Sequence, residues 1–424
     1  MNKTFWCNCL SMERKFRFKP LVRKYSKMTG DLKVLTEDKQ QSGTSYKAGL
    51  RQANNFGKDV HVVDMRSDTI TRPSPEMRRA MAEAEVGDDV YAEDPTVLKL
   101  QKRVTEITGM EDSLFVSSGT MGNLIAVLAH CWERGSEIII GDLSHIIKYE
   151  QGGASQFGGI CLRTVKNKDD GTFDIEEMLS KVRDPVDIHN PITRLICIEN
   201  THNVCGGRVL PLEWIDQVVA VSTQRNIPVH VDGARLMNAA VHLNVPPSRL
   251  LRGCASVSIC LSKGLGAPVG SVLSGSKTFI QRALRLRKSL GGGMRQVGIL
   301  AAAGLLAVNN MVDRLADDHL HAKMIGEAIN SMNSENMQVD MSALESNILM
   351  VETKRPLTPE DVAARLSQIT EKESEELKEK IVVRCFGMTR TRMRITTHAD
   401  LSRKDIEAAI RKLKYIIAEY DSVA

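Results

Sequence analysis

What the 424-residue chain lacks narrows it before any motif is read. No apolar run approaches the roughly 18 uninterrupted residues of a membrane-spanning helix. The nine cysteines form no C-x-x-C pair and no cysteine–histidine ligand cluster, which argues against a disulfide framework and a structural zinc site. Cys7 and Cys9 stand close in "CNC" but have no partner set. A basic stripe with interleaved aromatics is missing beyond the first thirty-three residues, so nucleic acid is not an expected partner. There is no internal repeat, and the net charge of +5 is mild. These absences leave an intracellular, reduced, globular chain with no expected metal.

What is present divides into three stretches. Residues 1–58 form a leader: up to Lys33 it carries nine lysines and arginines against only Glu13 and Asp31, and it then turns polar. It reads either as a mitochondrial targeting segment or as an untargeted disordered tail. Residues 59–315 alternate short apolar strands with helical patterns: "SLFVSSGT" into "MGNLIAVLAHCW", then "SEIIIGD", "RLICIEN", "IPVHVDGA" and "VSICLSKG". This predicts a large α/β domain with a mostly parallel central sheet and helices on both faces. Ligands of such sheets bind beyond the carboxyl ends of the strands. Residues 316–424 read as a small C-terminal α+β domain. In it, Thr358-Pro359-Glu360 and Ser402 with Asp405 open two helices.

Three motifs fall at expected strand ends. In "SSGTMGN", residues Ser117 to Asn123, a strand feeds small residues into a helix start, which either cradles a phosphate or is an ordinary tight turn with an N-cap. It matches neither G-x-G-x-x-G nor the P-loop. In "HVDGAR", Asp232 ends a strand and Arg235 follows. The two either pair to close the strand, or the acid faces a protonated ring nitrogen and leaves the arginine for a substrate carboxylate. In "SICLSKGLGAPVGS", Val257, Ile259 and Leu261 alternate before Lys263 emerges between a buried strand and two glycines. That lysine is either an exposed strand-end residue or an amine held near a bound carbonyl. In this order within one α/β domain, the three motifs describe a site for pyridoxal 5′-phosphate.

The segments "MRSDTITRPS", "VGDDVYAEDPTV", "SSGTMGN", "SHIIKYEQGG", "ENTHN", "HVDGARLMNAA", "CLSKGLGAPVGS" and "GGGMRQVGILAAAG" together resemble the low-specificity L-threonine aldolases. These are fold-type I pyridoxal phosphate enzymes of the aspartate aminotransferase superfamily. The resemblance runs from about Val62 to the last helix; the leader and "SQITEKESEELKEK" look extra to it. It implies that Lys263 holds the cofactor as a Schiff base, that Asp232 contacts the pyridine nitrogen, and that Gly119 and Thr120 hold the phosphate. His145 would stack on the ring. Ser67, Arg235 and Arg394 would grip the amino acid carboxylate, with Tyr91 as a wall. Arg295, joined by Lys288, would reach a phosphate in a neighbouring subunit of a homotetramer built from dimers. The implied reaction is retro-aldol cleavage of L-threonine and L-allo-threonine to glycine and acetaldehyde. The resemblance assigns His189 to the substrate hydroxyl, so the base is His145, His189 or a water held by either. Elimination or transamination on the same fold, and cofactor binding without catalysis, are the alternatives. His130, His319 and His321 read as surface or satisfied residues.

Overall fold

The computed structural model describes residues 56–57 and 59–422. The leader therefore lies outside the described residues except for Phe56 and Gly57. The strands are β1 (Val60–Asp64), β2 (Asp112–Val116), β3 (Ser136–Gly141), β4 (Cys161–Val165), β5 (Ile192–Glu199), β6 (Val229–Gly233), β7 (Ser256–Cys260) and β8 (Ser271–Gly275) in the first part of the chain. β9 (Met337–Gln338), β10 (Ile348–Thr353), β11 (Lys380–Arg384), β12 (Phe386–Gly387) and β13 (Arg392–Thr396) follow.

Seven of these make the central sheet in the order β2-β8-β7-β6-β5-β3-β4. β8 runs antiparallel to both of its neighbours, and the other pairings are parallel. Every residue of β3, β6 and β7 is buried, as expected of strands covered by helices on both faces. That double burial is why "SEIIIG" reads as a continuous apolar run rather than an alternation, while "SVSIC" alternates apolar residues with small serines that are buried too. β5, β6 and β7 end in register: Glu199 lies opposite Asp232, and Asp232 opposite Ser258. The carboxyl edge of the sheet thus gathers polar residues at the tips of three apolar strands.

The second lobe is a four-stranded antiparallel sheet, β12-β13-β10-β9, packed with the helices Leu315–Asn330, Pro359–Leu366 and Arg403–Asp421. Thr358 and Ser402 cap their helices reciprocally with Asp361 and Asp405. One expected boundary is corrected. The large domain does not begin at residue 59, because β1 pairs in parallel with β11 over Val60–Asp64. Val63 and Met65 are buried in the small lobe's apolar core, which is therefore built from both ends of the described chain. Among the described residues, no single helix is long and apolar enough to cross a membrane.

Candidate active site

β7 runs apolar to Cys260, and buried Leu261 continues it before the chain turns. The Gly266 N–H donates to the Lys263 carbonyl (2.9 Å), with Gly266 at φ +76°, where glycine is favoured. The Thr71 hydroxyl donates to the same carbonyl (3.1 Å). Lys263 is half-buried at this strand end, and among the described residues its ammonium makes no hydrogen bond or ion pair.

The helix Gly119–His130 starts beside that turn. Ser118 caps it by accepting from the Met121 N–H, which leaves the Gly119 and Thr120 N–H groups uncapped. Two glycines allow the close approach. A Cβ at Gly119 would lie 2.6 Å from Cys260 Sγ, and one at Gly122 would lie 2.4 Å from Ser258 Oγ. Ser258 Oγ is itself buried without a partner. Further along the helix, Asn123 Nδ2 donates to Asp232 Oδ2 and to Glu150 Oε1, each at 2.9 Å. Asp232 does not pair with Arg235; its other oxygen accepts from the Ala234 N–H (3.2 Å).

His145 begins a short helix whose backbone N–H donates to Glu199 (2.6 Å), and its Nδ1 meets Glu150 Oε1 at 2.9 Å. Burial lowers the His145 pKa, but the hydrogen bond to Glu150 and the charges of Asp232, Glu150 and Glu199 outweigh it and raise the net value. Arg235 is not left free: its Nε and Nη2 donate to Asp68 at 2.7 Å each, and both residues are buried. Burial would raise the Asp68 carboxyl, yet Arg235, and Lys263 after it, hold it well below the usual carboxylate range. Asn203 Oδ1 accepts from Arg394 Nη1 (2.8 Å) and from Arg235 Nη1 (3.4 Å), so one carbonyl ties the two guanidiniums together. Arg394 also donates to the Arg66 carbonyl (3.0 Å) and lies 4.5 Å over the Phe386 ring. Ser67, between Arg66 and Asp68, caps a short turn by accepting from the Thr69 N–H.

Other expected site residues fall elsewhere. Tyr91 is exposed in the turn Asp89–Tyr91. Arg295 donates to Asp88 (3.0 Å), and its carbonyl accepts from the Asp89 N–H (3.1 Å). Lys288 lies along Gly293. Arg295 and Tyr91 thus share one surface, with Lys288 beside the triple glycine that leads into it. His189 falls away from these groups within the chain. It precedes β5, at the strand's amino end, is 86% exposed and is bonded to Asp187. Eight residues of strand, about 25 Å, separate it from the carboxyl edge where Glu199 lies.

The histidine that does sit there is His202, three residues past β5 and adjacent to Asn203. It is buried; its Nδ1 accepts from the Cys205 N–H (3.4 Å), and its Nε2 has no partner. It lies inside "ENTHN", and its place just beyond a strand's carboxyl end was the available signal. Asp68, Asn123, Glu150 and Glu199 were missed as well. The donor set fits pyridoxal phosphate: uncapped helix N–H groups for a phosphate, a buried carboxylate for a ring nitrogen, and a partnerless lysine for an aldehyde.

Comparison with known proteins gives the family. Residues 64–354 match the family model described as beta-eliminating lyase. The chain is 49% identical over 349 residues to "Probable low-specificity L-threonine aldolase 2" of Arabidopsis thaliana, covering 82% of this chain and 95% of that one. It is 41% identical to the low specificity L-threonine aldolase of Escherichia coli K12, covering 81% and 96%. The solved threonine aldolase of Leishmania major superposes with a TM-score of 0.68 at 20% identity, covering 84% of this chain and 99% of that one, a likeness of fold.

Proposed function

The chain belongs to the beta-eliminating lyase family, and from that footing we propose that it is a pyridoxal phosphate-dependent aldehyde-lyase. Its substrates are L-threonine and L-allo-threonine, which it splits into glycine and acetaldehyde. The observation that carries this reading is the Lys263 ammonium at one strand end. Among the described residues it has no hydrogen bond or ion pair, but it acts on buried Asp68, which braces Arg235, itself joined to Arg394 through Asn203.

Lys263 would hold the cofactor's aldehyde carbon, Gly119 and Thr120 its phosphate and Asp232 its ring nitrogen, with His145 as a further contact. When bound, the cofactor supplies an electron sink for the pair released as the Cα–Cβ bond breaks. The protein's own part is orientation and proton transfer. Arg394, with the Arg235 N–H groups that Asp68 and Asn203 leave unused, takes the amino acid carboxylate, Asn203 setting the angle between the two guanidiniums and Asp68 bracing Arg235. A clamped carboxylate restricts rotation at Cα, which decides which bond is aligned to break. The β-hydroxyl proton must leave as the aldehyde forms. His202 Nε2, His145 Nε2 or a water held by either receives it.

Arg295, Lys288 and Tyr91 complete a neighbouring subunit's site in a homotetramer built from dimers. The protein works inside the cell, in the cytosol or the mitochondrial matrix; whether the basic leader carries a fused reporter into mitochondria decides between them. The central test is acetaldehyde release from purified, cofactor-loaded protein given each threonine diastereomer separately. Release from both, falling by about a thousandfold or more in Lys263→Ala, is expected. No release from either overturns the reading.

A further inference from the structure

Asp232 has a second carboxylate behind it. Asn123 spends one amide nitrogen on two acids, Asp232 Oδ2 and Glu150 Oε1, both at 2.9 Å, and the same Glu150 oxygen meets His145 Nδ1. Ligand atoms of His145, Glu150 and Asp232 all lie within 4.8 Å of one another. The orientation of Asn123 is fixed from its other side. Burial takes His230 and His130 down to about 3, so each is neutral and carries a single N–H. His230 Nε2 faces the Asn123 carbonyl oxygen at 3.2 Å and must be the donor, so its Nδ1 accepts from the Ser256 hydroxyl (2.9 Å). The Ser256 oxygen then accepts from His130 Nε2 (2.9 Å). Every bond in the line from His130 to the two acids points its proton the same way, and such a chain polarises cooperatively.

We infer that Glu150 is a positioning residue: it orients His145 through Nδ1 and, bridged by Asn123, adds a second negative charge behind the acid that meets the ring nitrogen. The inference rests on the cofactor reading above. Three ionisable groups act on or feel Glu150: His145, five residues earlier in the chain, Asp232 from β6 and the Cys197 thiol from β5; Glu199, also from β5, acts on His145. Burial and Asp232 raise the Glu150 pKa on balance, while the hydrogen bonds from His145 and Asn123 favour its ionised form. A carboxylate so placed favours a protonated cofactor and costs the site nothing in shape.

Glu150→Gln tests this, because the amide oxygen still accepts from Asn123 while the charge is gone. The probe is the visible absorption of the pyridoxal phosphate-loaded protein, titrated with pH. The midpoint is expected to fall by about one unit in the variant, and Glu150→Asp restores most of it. A midpoint unchanged in Glu150→Gln overturns the inference. A wild-type protein with no cofactor band overturns the cofactor reading instead. If the variant does not fold, the wild-type holoenzyme still decides. Its His145 resonance, assigned by its loss in His145→Gln, must titrate above an ordinary histidine, and an ordinary or lower value overturns the inference.

Discussion

His202 keeps one ring nitrogen buried with no partner, a state that costs about 1–3 kcal/mol unless a ligand relieves it. The residue is next in the chain to Asn203, whose carbonyl joins both guanidiniums at the carboxyl edge of the sheet. His202→Asn is expected to lower kcat for threonine cleavage about a hundredfold with unfolding little changed, whereas His189→Ala stays within about twofold. Equal losses in both would return His189 to the site. Asp232 and Lys263 were legible in the sequence because each ends an apolar strand, and local text reports a strand end. Glu150 and Asp68 were not, since their meaning lies in partners brought close by the fold: Asn123 and His145 for one, Arg235 and Asn347 for the other. His202 was within reach of the sequence, because it lies in "ENTHN" just past an apolar strand.

The helix Glu371–Leu377 falls in the stretch that looks extra to the family, yet it is anchored by charge. Glu373 is buried against Lys412 of the helix Arg403–Asp421, and Arg365 donates to it at 2.9 Å and to Glu419 at 2.8 Å. Lys412 is fully buried, and its ammonium also donates to the Gln368 carbonyl (2.6 Å). Removing one partner of such a pair strands the other charge, so Lys412→Ala should cost about 3 kcal/mol in denaturant unfolding. The double variant Lys412→Met with Glu373→Leu should recover most of that loss; a single variant as stable as wild type would show the pair to be unimportant. At this scale, helix starts read well from sequence, because capping is local chemistry: Thr358 and Ser402 stand where expected. The pairing of β1 with β11 does not, since no local pattern names a partner so far along the chain.

At the scale of the whole molecule, Arg295 is held by Asp88 on an exposed surface that also carries Tyr91. If these residues serve a neighbour's site, Lys263→Ala and Arg295→Ala subunits are each weak alone. Randomly co-assembled, they should regain about a quarter of wild-type activity, from mixed pairs with one intact site. No regain would confine the site to one chain. The alternation of strands and helices made the large lobe's architecture legible, whereas surfaces that serve another copy leave no periodic trace. The parallel pairing of β1 with β11 has a further consequence for how the protein is made. His61 of β1 is bonded to Glu379, 318 positions later, and the lobe's last helix follows that. During translation, β1 emerges early and must wait, with its edge unpaired, until nearly the whole chain has left the ribosome. The small lobe is thus the last to close, and a chain cut short near its end retains an orphaned strand at its beginning.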